Sequence, residues 1–255
     1  MKILLLDTSS KFLSLAVAED DKVLRRMHRL LDRKHSAQLI CFIDKILKKA
    51  KLSLKQIGGF CVGKGPGSFT GLRIGITTIK ALAYVLRRPV VAIPSLDILA
   101  ENSKRLKRGK KKDLPLQVCT IVDARQSKVY ACLYQLRDGI IRRKSRYLLL
   151  PLAQLLEKLR GEVFFLGDGV KIYRKEIYDD KNIRPIFAEE KLWYPRVFQA
   201  VTSALQRFGE GRLDDVNSLV PFYLYPKECQ IKFRRQKTED RKQRMEDRGR
   251  RTEGR

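Results

Sequence analysis

The chain has 255 residues, 44% of them hydrophobic, with 55 Lys and Arg against 28 Asp and Glu, a formal net charge of +27. That length suits one large domain or two small ones, and the apolar share excludes a chain that is disordered throughout. The charge disfavours a basic partner and suits a polyanion such as RNA, DNA or an anionic membrane; it says nothing about fold.

In chain order, residues 2–6 read as a strand ending at Asp7, and Thr8-Ser9-Ser10 is turn chemistry. Leu13, Leu15 and Val17 then alternate as a second, half-buried strand. Over residues 36–50 the period becomes helical, with Leu39, Phe42, Ile43, Ile46 and Leu47 at helical spacing and Phe42 and Leu47 widening the apolar arc beyond one face, as Tyr84 and Val85 do on the next helix. A strand at 57–62 and a tight loop at 63–68 lead into a second helical stripe of Leu72, Ile76, Ile79, Leu82, Ala83 and Leu86. A strand at 89–93 and a short helix at 95–102 complete an alternation that implies an α/β domain. Seven of the nine residues from Lys104 to Lys112 are basic, which marks a surface loop or linker.

A strand starting near Leu116 carries Thr120-Ile121-Val122-Asp123, the pattern of Leu4-Leu5-Leu6-Asp7 shifted by 116 residues. The same shift moves Leu13, Leu15 and Val17 onto Val129, Ala131 and Leu133, again alternating and apolar. Pattern alone leaves duplication and coincidence equally open. Beyond it lie a helix at 152–159, a strand at 163–166, a helix from Gly169 to about Tyr178, a helix at 197–208 and a late strand at 220–225. Residues 232–255 hold eleven Lys or Arg and five Asp or Glu, and read as a disordered or weakly helical tail.

No uninterrupted apolar run approaches the roughly 18 residues of a spanning helix, and the start lacks the apolar region and cleavage site of a signal peptide. The chain reads as cytoplasmic, with no membrane partner. Cys41, Cys61, Cys119, Cys132 and Cys229 are widely spaced and read as free thiols. His28 and His35 are the two histidines, too few for a zinc site with these cysteines. His35-Ser36 reads as a helix start rather than a catalytic pair. The aromatic residues Tyr130, Tyr134, Phe164, Phe165, Tyr173, Tyr178, Trp193 and Tyr194 form no RNA-stacking motif and suit core or interface.

The sharpest local motif is the loop that contains Gly65, Gly67, Ser68 and Thr70. It joins a strand to a helix, where backbone N–H groups can bind an anion, with Ser68 as helix cap. It matches neither a Walker loop nor a dinucleotide fingerprint, so a structural turn is favoured over a phosphate site. Asp7 and Asp123 end strands; a turn or capping role is favoured over a hydrated cation.

Ile3-Leu4-Leu5-Leu6-Asp7-Thr8-Ser9, His35-Ser36, the run from Gly65 to Gly75 and Val122-Asp123-Ala124-Arg125 resemble the TsaB family, over about residues 1–230. The resemblance implies a two-lobed actin/sugar-kinase/Hsp70-like α/β fold from a duplicated unit. Its lobes would be 1–103 and 116–231, with a basic linker at 104–115 and a basic tail at 232–255. It implies a non-catalytic subunit in the synthesis of threonylcarbamoyladenosine, next to the anticodon of ANN-decoding tRNAs. The partners implied are catalytic TsaD, the ATPase TsaE and tRNA through the complex, with a homodimer when the chain is alone. In TsaD a His-x-x-x-His motif holds a metal; the matching positions here are Ser95 and Leu99, neither a competent ligand. ATP or ADP and metal are therefore expected in the partner subunits, and no cofactor in this chain.

Leu39, Phe42, Ile43, Ile46 and Leu47, with Ile79, Leu82 and Val85, are the expected TsaD-binding face. Asp7, Ser9, Asp123, Gly167 and Gly169 would mark a vestigial nucleotide cleft. The basic segments suit salt-sensitive contacts to tRNA phosphates. Family members usually carry Arg where Tyr225 stands, which puts any role of that position in doubt. The competing readings are a stand-alone RNA-binding protein and an ATP-binding or metalloprotease-like enzyme of the same fold.

Overall fold

The computed structural model describes residues 1–30, 38–106 and 115–225. His35, Ser36, Lys107–Lys112 and the tail at 232–255 lie outside them. Residues 1–222 form one compact unit; of a second, 223–255, only residues 223–225 are described.

Strands β1 (Lys2–Asp7), β2 (Phe12–Glu19) and β3 (Lys22–Leu30) form an antiparallel meander. Helix α1 (Leu39–Lys49), strand β4 (Gly59–Gly63), helix α2 (Phe69–Leu86), strand β5 (Val90–Ile93) and helix α3 (Ser95–Glu101) follow. The sheet order is β3-β2-β1-β4-β5, with β1, β4 and β5 parallel.

The chain then repeats itself. Strands β6 (Leu116–Arg125), β7 (Lys128–Arg137) and β8 (Ile140–Arg143) are antiparallel. After them come β9 (Leu148–Pro151), α4 (Leu152–Leu156), β10 (Gly161–Leu166), α5 (Gly169–Asp179) and β11 (Ile183–Phe187). The order β8-β7-β6-β10-β11 matches the first sheet strand for strand, down to its three parallel members. β6 stands where β1 stands, so the 116-residue offset is the spacing of a duplicated unit. The fold is the two-lobed actin-like α/β architecture.

β1 is apolar at every position from Ile3 to Leu6 because both faces of its sheet are covered. Leu4 and Leu6 join Leu13, Leu15 and Val17 against α1 and α2, whereas Ile3 and Leu5 face Val197, Phe198, Val201 and Ala204. The last of these residues lie on a short turn at Val197–Gln199 and on helix α6 (Val201–Gly209). Chain order had grouped this segment with the second lobe; its apolar face instead completes the first. Helix α3 is shared: Ile98 packs with the first sheet, and Leu96, Leu99 and Ala100 with the second.

Three expectations are corrected here. Leu39, Phe42, Ile43, Ile46 and Leu47, proposed for a partner, are at most 4% exposed and pack in the chain's own core with Ile79. Each buried side chain of this size stabilises the fold by about 1.5–3 kcal/mol, so intrachain packing claims that face first. Leu82 is half-buried against the same cluster, and only Val85 of the eight is open, at 77%. Second, residues 220–225 make no strand. Pro221 lacks an N–H, and Phe222 donates a single hydrogen bond, to Lys64 O at 2.7 Å. Third, α2 has the length and hydropathy of a spanning helix, yet Leu72, Ile76, Ile79 and Ala83 bury its apolar stripe against β1, β4 and β5.

β3 escaped sequence reading because Lys22, Arg25, Arg26 and Arg29 break its alternation. It is an edge strand, where such charges discourage further pairing. Its His28 ring stacks on Phe12 at 4.7 Å, with Nδ1 buried and without a hydrogen bond. Burial, with repulsion from Arg196, lowers its pKa to about 4. The neutral imidazole therefore stabilises the folded chain fully above pH 6.5, and that contribution is lost as pH falls towards 4. A His28→Phe variant is expected to flatten this part of the stability–pH curve in urea titrations; an unchanged slope would show that another group carries it.

Candidate functional site

Three segments meet at the end of β1: its own turn, the loop before α2 and the start of α3. Asp7 is fully buried. Its Oδ1 accepts from Ser9 N at 2.9 Å and Ser9 Oγ at 2.7 Å, and its Oδ2 accepts from Ser95 Oγ at 2.8 Å. Ser95 Oγ in turn accepts from Gly65 N at 3.1 Å, and Ser95 N donates to Gly65 O at 2.7 Å. Burial pushes the Asp7 carboxyl above its ordinary pKa, against the lowering effect of its Ser9 and Ser95 hydrogen bonds. This is a structural knot, in line with the turn role favoured for Asp7.

The glycine loop closes onto the same turn. Ser68 N donates to Ser9 O at 2.6 Å, Gly71 N to Ser68 Oγ at 3.2 Å and Thr8 Oγ1 to Gly71 O at 2.7 Å. Ser68 is thus the cap of α2, as its position suggested. A Cβ at Gly71 would lie 2.1 Å from Thr8 O, and one at Gly67 2.2 Å from Ser9 O. The glycines serve the close approach of two backbones. Donors that a phosphate would need, Gly65 N, Ser68 N and Gly71 N, are spent inside the protein. Thr70 is exposed on the first turn of α2.

In the second lobe Asp123 N donates to Asp168 Oδ1 at 3.1 Å and Asp123 Oδ1 accepts from Arg125 N at 2.8 Å, again a turn-former. Gly167, at φ +123°, would bring a Cβ to 1.9 Å from Ile121 O; Gly169 sits against the same carbonyl, at 3.1 Å. The structure does bring the lobes together here: Ser9, Pro66 and Ser95 face Val122 and Asp168. Trp193, Tyr194 and Pro195 complete the lining of the space between, a cavity of about 10 Å³. Ligand pockets run to several hundred Å³, and this one is the size of one water molecule. A nucleotide does not fit this cavity, and Ser95 and Leu99 do not fit the metal that the resemblance implies for TsaD. Ser95 is occupied by Asp7 and Gly65, and Leu99 is buried in the interlobe core. Among the described residues, no three of His, Cys, Asp and Glu converge as metal ligands.

Sequence reading assigned Trp193 and Tyr194 to core or interface without saying which, and passed over the polar residues that tie this region together. Asn102 is fully buried and donates from Nδ2 to Leu192 O at 3.0 Å and Tyr194 O at 2.9 Å. Trp193 Nε1 donates to Ala188 O at 2.9 Å. Asp97 accepts from the Tyr134 and Tyr147 hydroxyls, both at 2.7 Å. Burial, reinforced by that carboxylate, holds both phenols above their ordinary pKa. The one legible signal was polarity inside an apolar helix: Asp97, Glu101 and Asn102 interrupt α3 and the residue after it.

On the outer side of α2, Thr77, Ala81, Tyr84 and Val85 form an exposed stripe at helical spacing. Tyr84 and Val85 are 73% and 77% exposed. They border an open groove of about 660 Å³ completed by Arg87, Arg88 and residues 214–217.

Comparison with known proteins gives a consistent family. A family model described as "TsaD: tRNA N6-adenosine threonylcarbamoyltransferase" matches residues 28–232. The chain is 31% identical to "tRNA threonylcarbamoyladenosine biosynthesis protein TsaB" of Bacillus subtilis, over 91% of this chain and 98% of that protein. Its identity to the protein of the same description from Haemophilus influenzae is 32%, over 93% of this chain and 89% of the other. Among solved structures, YeaZ from Pseudomonas aeruginosa superposes with a TM-score of 0.73 at 27% identity, covering 88% of this chain and 99% of that one.

Proposed function

The chain belongs to the TsaB family, and on that premise we propose that it is a non-catalytic subunit of the machinery that makes threonylcarbamoyladenosine in tRNA. Its role in that modification follows from the family. The finer assignment is that it pairs with TsaD and supports threonylcarbamoyl transfer to N6 of the adenosine next to the anticodon of ANN-decoding tRNAs. TsaE joins the assembly, tRNA is met through it, and the complex works in the cytoplasm.

The observation that carries the non-catalytic assignment is the closed interlobe cleft. Trp193, Tyr194 and Pro195 line it, and the residues at the metal-ligand positions, Ser95 and Leu99, are committed to structure. That interior supports a role in aiding chemistry carried out by a neighbour. The exposed stripe of α2 around Tyr84 and Val85 supplies the TsaD-binding surface, in place of the buried face of α1.

The test is reconstitution from purified TsaD, TsaE, threonylcarbamoyl-adenylate, ATP and tRNA, with the modified nucleoside measured by mass spectrometry. Omitting this chain is expected to reduce the yield at least tenfold, and the chain without TsaD is expected to yield none. Transfer by this chain alone would overturn the non-catalytic assignment. Full yield without it would overturn the supporting role.

A further inference from the structure

Three arginines from distant parts of the sequence gather on one surface. Arg26 projects from edge strand β3, Arg105 closes the short turn Asn102–Arg105 after α3, and Arg196 follows the cleft-lining segment. The Arg26 guanidinium lies 4.8 Å from the centre of the Phe198 ring and that of Arg196 lies 5.9 Å from it. Arg196 is held in place by its Nε and Nη2, which donate to Lys191 O at 3.0 and 2.6 Å. Among the described residues none of the three makes an ion pair with a carboxylate. The charges that act on Arg196 are those of Arg105 and Arg26, and after burial their repulsion lowers its pKa.

Gathering like charges without counter-ions costs folding free energy, and a bound polyanion relieves it. Guanidinium forks match phosphate oxygens, and stacking on Phe198 fixes two of them before any ligand arrives. Arg105 also opens a basic run, for Lys107, Arg108 and Lys110–Lys112 follow it in sequence. The aromatic ring at the centre is only 7% exposed, so the patch offers a membrane nothing to insert.

We propose that Arg26 and Arg196, gathered on Phe198, dock the phosphodiester backbone of the substrate tRNA together with Arg105, whose charge acts on Arg196. This rests on the tRNA-modification reading above and adds a contact site on this subunit. The contact is sequence-blind: it positions the RNA and leaves base recognition to other surfaces.

The experiment uses the full chain in complex with TsaD and TsaE, and an unmodified tRNA transcript titrated from 50 to 200 mM salt. Replacing all three arginines by alanine is expected to weaken binding on the order of tenfold. It should also lower the slope of log affinity against log salt by about 2, the share of roughly three phosphate contacts. Arg26→Glu alone, at an exposed strand position, is expected to weaken binding about threefold with an unchanged melting temperature. That variant leaves the Arg196 anchor on Lys191 intact.

Unchanged affinity and slope in both variants would overturn the docking site. So would an effect seen only with phosphatidylserine vesicles, or a loss of nucleoside formation with tRNA affinity intact. Modification by the wild-type complex is followed in the same samples. If it is present while the arginines are silent, the docking site fails and the functional reading stands; if it is absent in the wild type, the functional reading fails and the docking proposal with it.

Discussion

Co-purification of TsaD with this chain is expected to disappear when Tyr84 and Val85 are both changed to Asp, with no loss of fold. The two side chains are 73% and 77% exposed, so carboxylates there remain in water and cost the free chain little, within about 0.5 kcal/mol each. In an interface the same charges would be desolvated without partners, and an aromatic anchor would be gone. Central aromatic anchors are worth about 2–4 kcal/mol on truncation, so the Kd is expected to rise roughly 30- to 900-fold. Phe42→Asp is the instructive contrast. Phe42 is 4% exposed inside the first lobe's core, and a carboxylate there is expected to unfold the chain rather than merely separate the complex. Calorimetry on the free chain separates the two effects. Retention of TsaD by a folded Tyr84/Val85 variant would place the interface elsewhere.

Gly71→Ala is expected to destabilise the chain by about 3 kcal/mol, although alanine is ordinarily the better helix residue by about 1 kcal/mol. The added methyl would lie 2.1 Å from Thr8 O, and neither partner can yield cheaply. Gly71 is the third residue of α2 after its cap, and Thr8 is tied to it by the Oγ1 hydrogen bond to Gly71 O. For a unit of this size the melting temperature should fall by about 6–12 °C. Gly209→Ala serves as control, because a Cβ there meets nothing within 4 Å. Equal melting temperatures for the two variants would mean that the Thr8 turn moves freely, and the close-packed description of this loop would be wrong.

Most of the fold could be read from residues. Repeated apolar runs ending in Asp7 and Asp123 pointed to a duplication that the family resemblance turned into an expectation, because inner strands buried on both faces look alike wherever they occur. Helices α1 and α2 were legible from their period. What the stripe could not say was which neighbour covers it: a wide apolar arc looks the same whether it meets its own sheet or another protein. β3 was hidden by four basic residues, and α6 by a return across the molecule that chain order does not announce. At the candidate site the glycines were legible as close approaches, but what they approached was not. Asn102 was invisible, and Trp193 and Tyr194 could be assigned no further than core or interface, for a simple reason. Their effect comes from closing a space between lobes, and a space has no sequence.

The sharing of α3 between two sheets has a mechanical meaning. Leu96, Leu99 and Ala100 are anchored in one core and Ile98 in the other, and Asn102 ties the helix end to the segment that lines the gap. Opening the lobes like a clamshell would tear apolar surface from both sides at once and strand a buried amide. Hinge motion between the two sheets is thereby traded for rigidity. Residues 1–222 are expected to melt as one cooperative unit, the property of a rigid part rather than one that moves.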